Sequence, residues 1–238
     1  MNKFTAVAIA VIILCFGGLI LWSTNNRETS KVDFSKYDPT KIIEATEDNG
    51  NIADHVRGKA DSKVIVVEYA DLSCPGCASL MPRMSKLHEE YGDRVAFVFR
   101  HFPIKDHQNS RSASAAIESA AKQDYYWEML EALYEHRSDW LYATGQERTD
   151  IYVKIFKEVD PEGDEEQFRQ DMNDANIEKK ISFDYNLGKD RSDVNATPSV
   201  FVNGNKIDVD REGATFDDIV NDIKKLIEEG LKEEDKQE

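Results

Sequence analysis

Residues 64–77 read Val64-Ile65-Val66-Val67-Glu68-Tyr69-Ala70-Asp71-Leu72-Ser73-Cys74-Pro75-Gly76-Cys77, an apolar run that ends in a Cys-x-x-Cys. Its first residues are apolar on both faces, as a strand buried in the middle of a sheet should be. Pro75 suits the first turn of a helix, where its missing N–H costs nothing. The two cysteines are therefore predicted to stand at the mouth of a helix. Unpaired backbone N–H groups and partial positive charge at a helix start stabilise a thiolate, here on Cys74. Cys77 falls one turn further on, where it can attack a mixed disulfide formed at Cys74.

The rest of the composition narrows the chemistry. A formal net charge of −16 argues against nucleic acid, since neutralising phosphates takes clustered Lys and Arg. The cysteines are Cys15, Cys74 and Cys77, and the first lies in an apolar N-terminal segment. No pair is left for a structural disulfide, so packing alone must hold the core. Half a zinc site is the competing use of a close cysteine pair, and it needs two further ligands at suitable spacing. None of His55, His88, His101, His107 or His136 forms a paired-ligand motif.

Residues 4–22 (FTAVAIAVIILCFGGLILW) carry no charge and are long enough to cross a bilayer as a helix. There is no Ala-x-Ala-like exit, and Leu14 before Cys15 does not suit a lipoprotein signal. An uncleaved single-pass anchor is expected over residues 1–22, followed by a polar tether over 23–51. The few flanking charges barely orient it; disulfide chemistry does, because disulfides persist outside the cytosol.

Beyond the tether, residues 52–56 are expected to add an edge strand and 64–69 the central strand. A helix with Leu80, Met84, Leu87 and Tyr91 on its buried face follows, kinked at Pro82 and ended by Gly92. Residues 94–102 alternate as a second strand. Helical patterns then dominate, at 112–122, 125–136, 150–158 and 165–187. The segment 160–164 has carboxylates at alternate positions, but Glu165 stands where a calcium loop of the EF-hand type needs Gly, so an inter-helix turn is expected. Thr197-Pro198 leads into a hairpin with a Gly204-Asn205 turn, and an amphipathic helix through Phe216, Ile219, Val220, Ile223, Leu226 and Ile227 closes the chain.

Strand, Cys-x-x-Cys helix, strand, helical insertion, Thr-Pro, hairpin and final helix together resemble the DsbA-like thiol:disulfide oxidoreductases, and within them the membrane-anchored BdbD-like branch. The resemblance covers roughly residues 52–232. It implies an α/β thioredoxin fold whose first part is 52–104, with a helical insertion at 105–193, a second part at 194–232, a polar tail at 233–238 and the N-terminal transmembrane helix. It implies that Cys74 is the exposed nucleophile, Cys77 the buried resolving cysteine and Pro75-Gly76 the dipeptide that tunes the potential. Glu68 matches an acidic residue beneath the active site that helps move a proton to and from the buried thiol. Pro198 matches a cis-proline lying against the dithiol, with Thr197 before it exposing backbone to an extended substrate. Gly76 departs from the histidine of the most familiar member, which implies a milder oxidant.

The implied protein sits at the cell membrane with its C-terminal domain extracytoplasmic. It is monomeric and uses no cofactor beyond the Cys74-Cys77 disulfide. Its substrates are unfolded secreted proteins with free thiols, and a DsbB-like or VKOR-like membrane protein reoxidises it. A reductase or isomerase on the same scaffold is the nearest alternative. A copper- or zinc-binding module using both thiols belongs to another class.

Overall fold

Val56–Gly58 (β1), Ile65–Ala70 (β2), Ala96–His101 (β3), Ser199–Val202 (β4) and Asn205–Lys206 (β5) form one sheet in the order β1-β3-β2-β4-β5. The β2–β3 pairing is parallel and the others are antiparallel. Every residue of β2 and β3 is buried, which is why their sequences are apolar on both faces except at Glu68, Arg100 and His101. The computed structural model describes residues 32–236. The expected anchor at 1–22 and the first part of the tether lie outside the described residues. Among the described residues, no helix is long and apolar enough to cross a membrane.

The two faces of the sheet are covered by different helices. Val66, Phe97, Val200 and Val202 pack against Leu80, Met84 and Leu87 of the helix Pro75–Tyr91 (α1) and against Ile219, Ile223 and Ile227 of a C-terminal helix. Ile65, Val67, Tyr69 and Val98 point the other way, as strand alternation requires. Leu80 and Ile223 are fully buried, and each such side chain contributes roughly 1.5–3 kcal/mol of transfer free energy. Pro82 lies inside α1, and the helix continues through it to Tyr91.

Between β3 and β4 come Ser110–Ala121 (α2), Tyr126–Glu135 (α3), Arg137–Trp140 (α4), Gly145–Val159 (α5), Glu165–Asp171 (α6) and Ala175–Arg191 (α7). Their core holds Ile117, Leu130, Leu133, Trp140, Tyr152, Phe156 and Phe168, all fully buried, and it is continuous with Leu72, Cys74 and Cys77. The stretch expected as one helix over 165–187 is two. Asp174 starts the second by accepting the Asn176 N–H, and Lys122 Nζ clasps the junction through Asp171 and Asp174. In the 160–164 turn, Asp160 accepts the Glu162 N–H and Asp164 accepts that of Gln167, so these carboxylates serve the backbone locally.

Several expected boundaries move. The hairpin turn falls on Asn203-Gly204, not Gly204-Asn205, because both of those residues have positive φ, at 48° and 80°, as the tight hairpin turn demands. The last helix, Phe216–Glu234 (α8), runs past the expected start of the polar tail, because Leu231 extends its buried stripe.

The largest departure is at 34–51, expected as tether. Tyr37 packs edge-on against Phe183 with ring centroids 4.8 Å apart, Ile43 is buried, and Arg100 donates to Pro39 O at 2.7 Å and Lys41 O at 2.6 Å. The edge strand expected over 52–56 is present but begins later, as β1 at Val56–Gly58. Ile52 packs with Ile177 and Ile181 while Asp54 enters the interior to meet Arg100 and Lys180, so pairing begins only at Val56.

Candidate active site

Cys74 is the N-cap residue of α1, with φ −73° and ψ 125°, and Pro75 is the first residue of the helix. The chain turns there because Asp71 O accepts the Cys74 N–H at 3.0 Å, and Cys74 O in turn accepts the Ala78 N–H at 3.1 Å. Both cysteines are free thiols. Cys74 is 7% exposed and Cys77 not at all, so the nucleophile is less open than its resemblance implies but is the one residue of the pair with solvent contact.

The Thr197–Pro198 peptide is cis, and Thr197 O accepts from Cys74 Sγ at 3.3 Å. The sheet brings these distant residues together by pairing β4 with β2, with Ser199 opposite Tyr69. Gly76 eases the approach. A Cβ there would lie 3.2 Å from Pro198 Cδ, closer than side chains normally pack.

The environment drives the two thiols apart in acidity. Cys74 is pulled down to about 5 by a hydrogen bond from the Cys77 thiol, with help from the Thr197 side chain and the N–H groups of Cys77 and Gly76, against the cost of burial. Cys77 is pushed well above the usual thiol range by burial and then by its neighbour Cys74. The pair is thus built as a thiolate beside a thiol. No side chain at position 76 is needed for this.

Glu68 lies in β2, opposite Phe99 on one side and Val200 on the other, and is 6% exposed. Burial, and secondly the charge of Cys74, raise its carboxyl to about 8. It therefore holds a proton at neutral pH, within electrostatic reach of both sulfurs. Cys74, Cys77, Pro75, Gly76, Glu68, Thr197 and Pro198 all fall in this one neighbourhood.

Sequence reasoning passed over the groups that hold the active-site loop. The buried Asp71 carboxylate accepts from Ser73 N at 2.7 Å, Ser110 Oγ at 2.6 Å, Ile104 N at 2.8 Å and His107 Nδ1 at 2.7 Å. An acidic residue at the end of an apolar strand was the available signal. Arg137, which reaches Ser73 O from the insertion, carries none. Among the described residues, no three His, Cys, Asp or Glu side chains group in a way that could hold a metal ion.

The thioredoxin family model matches residues 50–222. The "Probable disulfide bond formation protein D" of Bacillus cereus is 33% identical over 187 residues, which cover 74% of this chain and 77% of that protein. A Na(+)/H(+) antiporter NhaA 1 of Mycolicibacterium gilvum is 35% identical over 156 residues, but the match spans only 24% of the antiporter's length and 64% of this chain. Among solved structures, oxidised BdbD from Bacillus subtilis aligns with a TM-score of 0.61 and 25% identity over 81% of this chain and 98% of that one. The MdbA thiol-disulfide oxidoreductase of Corynebacterium diphtheriae aligns at 0.57 and 17% identity over 83% and 100%, a likeness of fold.

Proposed function

The chain belongs to the thioredoxin family, and on that premise we propose that it is an extracytoplasmic thiol:disulfide oxidoreductase that donates the Cys74-Cys77 disulfide to secreted or surface proteins. The observation that carries this reading is the split in acidity between the two thiols, about 5 for Cys74 against a strongly raised Cys77. A stabilised thiolate stabilises the reduced pair, and a dithiol that is stable when reduced is a strong oxidant when disulfide-bonded. The relationship to a disulfide bond formation protein supports the same direction.

The reaction moves two electrons from substrate to protein. A substrate thiolate attacks Cys74 Sγ, the Cys74–Cys77 bond breaks, and Cys77 leaves as a thiolate in a site that disfavours its charge. Glu68, protonated at neutral pH, is the group that supplies Cys77 with a proton. A second substrate thiolate then attacks the substrate-side sulfur of the mixed disulfide. The substrate leaves oxidised, and Cys74 leaves as the thiolate its helix start favours. Thr197, ahead of the cis proline, offers backbone to an extended substrate by strand addition.

In this reading the protein acts as a monomer held at the membrane by residues 4–22. A quinone-linked DsbB-like or VKOR-like membrane protein restores the disulfide. The reduction potential of the purified protein tests the direction of transfer. A value well above thioredoxin's is expected, and one near roughly −270 mV would assign the site to a reductase instead.

A further inference from the structure

The residue ahead of the nucleophile has every polar group engaged. Ser73 N donates to Asp71 Oδ1 at 2.7 Å, Ser73 Oγ donates to Gln108 O at 2.7 Å, and Ser73 O accepts from Arg137 Nε at 3.2 Å and also from Arg137 Nη2. These partners come from the end of β2, the loop before α2 and the start of α4. The insertion thus reaches the dithiol by a charged side chain as well as by apolar packing.

We propose that Arg137 is a positioning residue for the dithiol, through which the helical insertion sets the orientation of Cys74 and favours the reduced pair over the disulfide. The proposal rests on the dithiol–disulfide reading of the site but not on the direction in which electrons flow.

The argument turns on one peptide plane. The Cys74 sulfur stands at the helix start, 3.3 Å from Thr197 O, only while Cys74 keeps its N-cap conformation, and it is there that the positive end of the helix favours its thiolate. That conformation is held from the N-terminal side by the Ser73–Cys74 peptide, whose oxygen Arg137 grips with two nitrogens. Its N–H is tied to Asp71 O at 3.0 Å. In the oxidised protein the Cys74–Cys77 bond itself ties Cys74 to the helix. In the reduced protein only hydrogen bonds do so. Releasing the grip therefore costs the thiolate more than it costs the disulfide. Arginine suits the task because its planar fork presents two donors to one acceptor in fixed geometry, which the single ammonium of lysine does not.

A purely structural role for Arg137 makes a different prediction, since loosening α4 would lower the stability of both redox states alike and leave their ratio unchanged. The test compares the full chain with Arg137→Gln and Arg137→Lys, reading the Cys74 pKa from ultraviolet thiolate absorbance and the dithiol–disulfide ratio from equilibrium with glutathione. Arg137→Gln should raise the Cys74 pKa by about half to one unit and shift the ratio about three- to tenfold toward the protein disulfide, with Arg137→Lys between it and the wild type. Wild-type values for both quantities in Arg137→Gln would overturn the proposal. If that variant does not fold, Arg137→Lys carries the same test, and unchanged values there overturn it equally. A wild-type protein that forms no internal disulfide in glutathione would refute the dithiol reading instead, and the pKa measurement on reduced protein would still decide the role of Arg137.

Discussion

The Cys74 sulfur and the carbonyl oxygen of Thr197 lie 3.3 Å apart across 123 positions of sequence. The thiol donates to that oxygen when protonated. Once the thiolate forms, the same carbonyl can only repel it, and the stabilising donors are the Cys77 thiol, the Thr197 side chain and the helix N–H groups. Thr197 Oγ1 is buried and makes no hydrogen bond in the reduced protein as it stands, so its proton is free to turn toward the thiolate.

Thr197→Val removes that donor and keeps the branched shape. The Cys74 pKa should rise by about half to one unit, the usual worth of one hydrogen bond to a charged group being about 1 kcal/mol or more. Alkylation rate followed against pH measures it. An unchanged profile would take Thr197 out of the thiolate's environment.

Cys74→Ala should abolish oxidation of thiol peptides while leaving the fold intact. Cys77→Ser should retain substrates as mixed disulfides on Cys74, because no internal thiol remains to release them. Mass spectrometry of the intact protein after incubation with a disulfide-bonded peptide distinguishes the two variants: the Cys74 thiolate of Cys77→Ser attacks the peptide disulfide, one peptide thiolate leaves and the other half stays on Cys74, whereas Cys74→Ala forms no such adduct. Full activity in Cys74→Ala would refute the mechanism.

The depressed Cys74 pKa makes the stability of the reduced protein depend on pH. A thiol whose folded pKa is about 5, below its unfolded value, binds fewer protons folded than unfolded between the two. Its contribution is therefore complete above the unfolded pKa and is lost as pH falls through about 5. The disulfide form has no such group. The unfolding free energy of reduced minus oxidised protein should thus rise from pH 5 to pH 8, by up to about 1.4 kcal/mol per unit. Paired urea titrations of the two forms across that range provide the measurement, and parallel curves would contradict it.

Glu68 runs the opposite way. Its folded pKa of about 8 lies above the unfolded value, so the buried carboxyl contributes fully below the unfolded pKa and loses stability as pH rises toward 8. Glu68→Gln should match the wild type near pH 4 and exceed it by on the order of 2–3 kcal/mol at pH 7. The same variant should slow reduction of the disulfide, since Cys77 then leaves without a proton donor nearby. Stopped-flow reduction together with denaturation at the two pH values separates the effects. A variant equally fast in reduction would leave Glu68 with a purely structural part.

Asp54 anchors the segment that looked like linker. It pairs with Arg100 at 2.6 Å and Lys180 at 2.9 Å, with all three side chains buried, and accepts the Ile43 N–H at 2.9 Å. Asp54→Ala leaves two buried cations short of a partner and should cost about 3–5 kcal/mol. Hydrogen exchange should also show residues 37–43 losing protection ahead of the sheet. Protection there equal to wild type would mean that this segment is held by its apolar contacts alone.

The core strands, the Cys-x-x-Cys helix and the closing helix were legible because their burial is periodic and local. Val66, Leu80 and Ile223 announce themselves by spacing. The hairpin was visible too, but its register was not, since Asn203 and Gly204 can each take positive φ and only pairing with β2 selects where the chain turns. The packed role of residues 34–51 was illegible for a plainer reason. Two of its backbone carbonyls, those of Pro39 and Lys41, are satisfied by Arg100, a residue about sixty positions away inside a largely apolar strand.

By itself, the sequence determined that a dithiol would stand at the start of a helix behind a buried strand, with an acidic residue beneath it and a Thr-Pro to face it. Those features are short in range: a proline at the first helical turn, six residues from Glu68 to Cys74, an alternation of apolar side chains. Only the tertiary structure decided how acidic each thiol becomes and what holds the loop that leads to them. Those depend on burial and on hydrogen-bond partners brought from Thr197, Asp71 and Arg137, and a hydrogen bond between distant residues leaves no periodicity in the chain that makes it. The Cys-x-x-Cys is written in four consecutive residues, whereas the groups that surround it come from the insertion and from Thr197–Pro198.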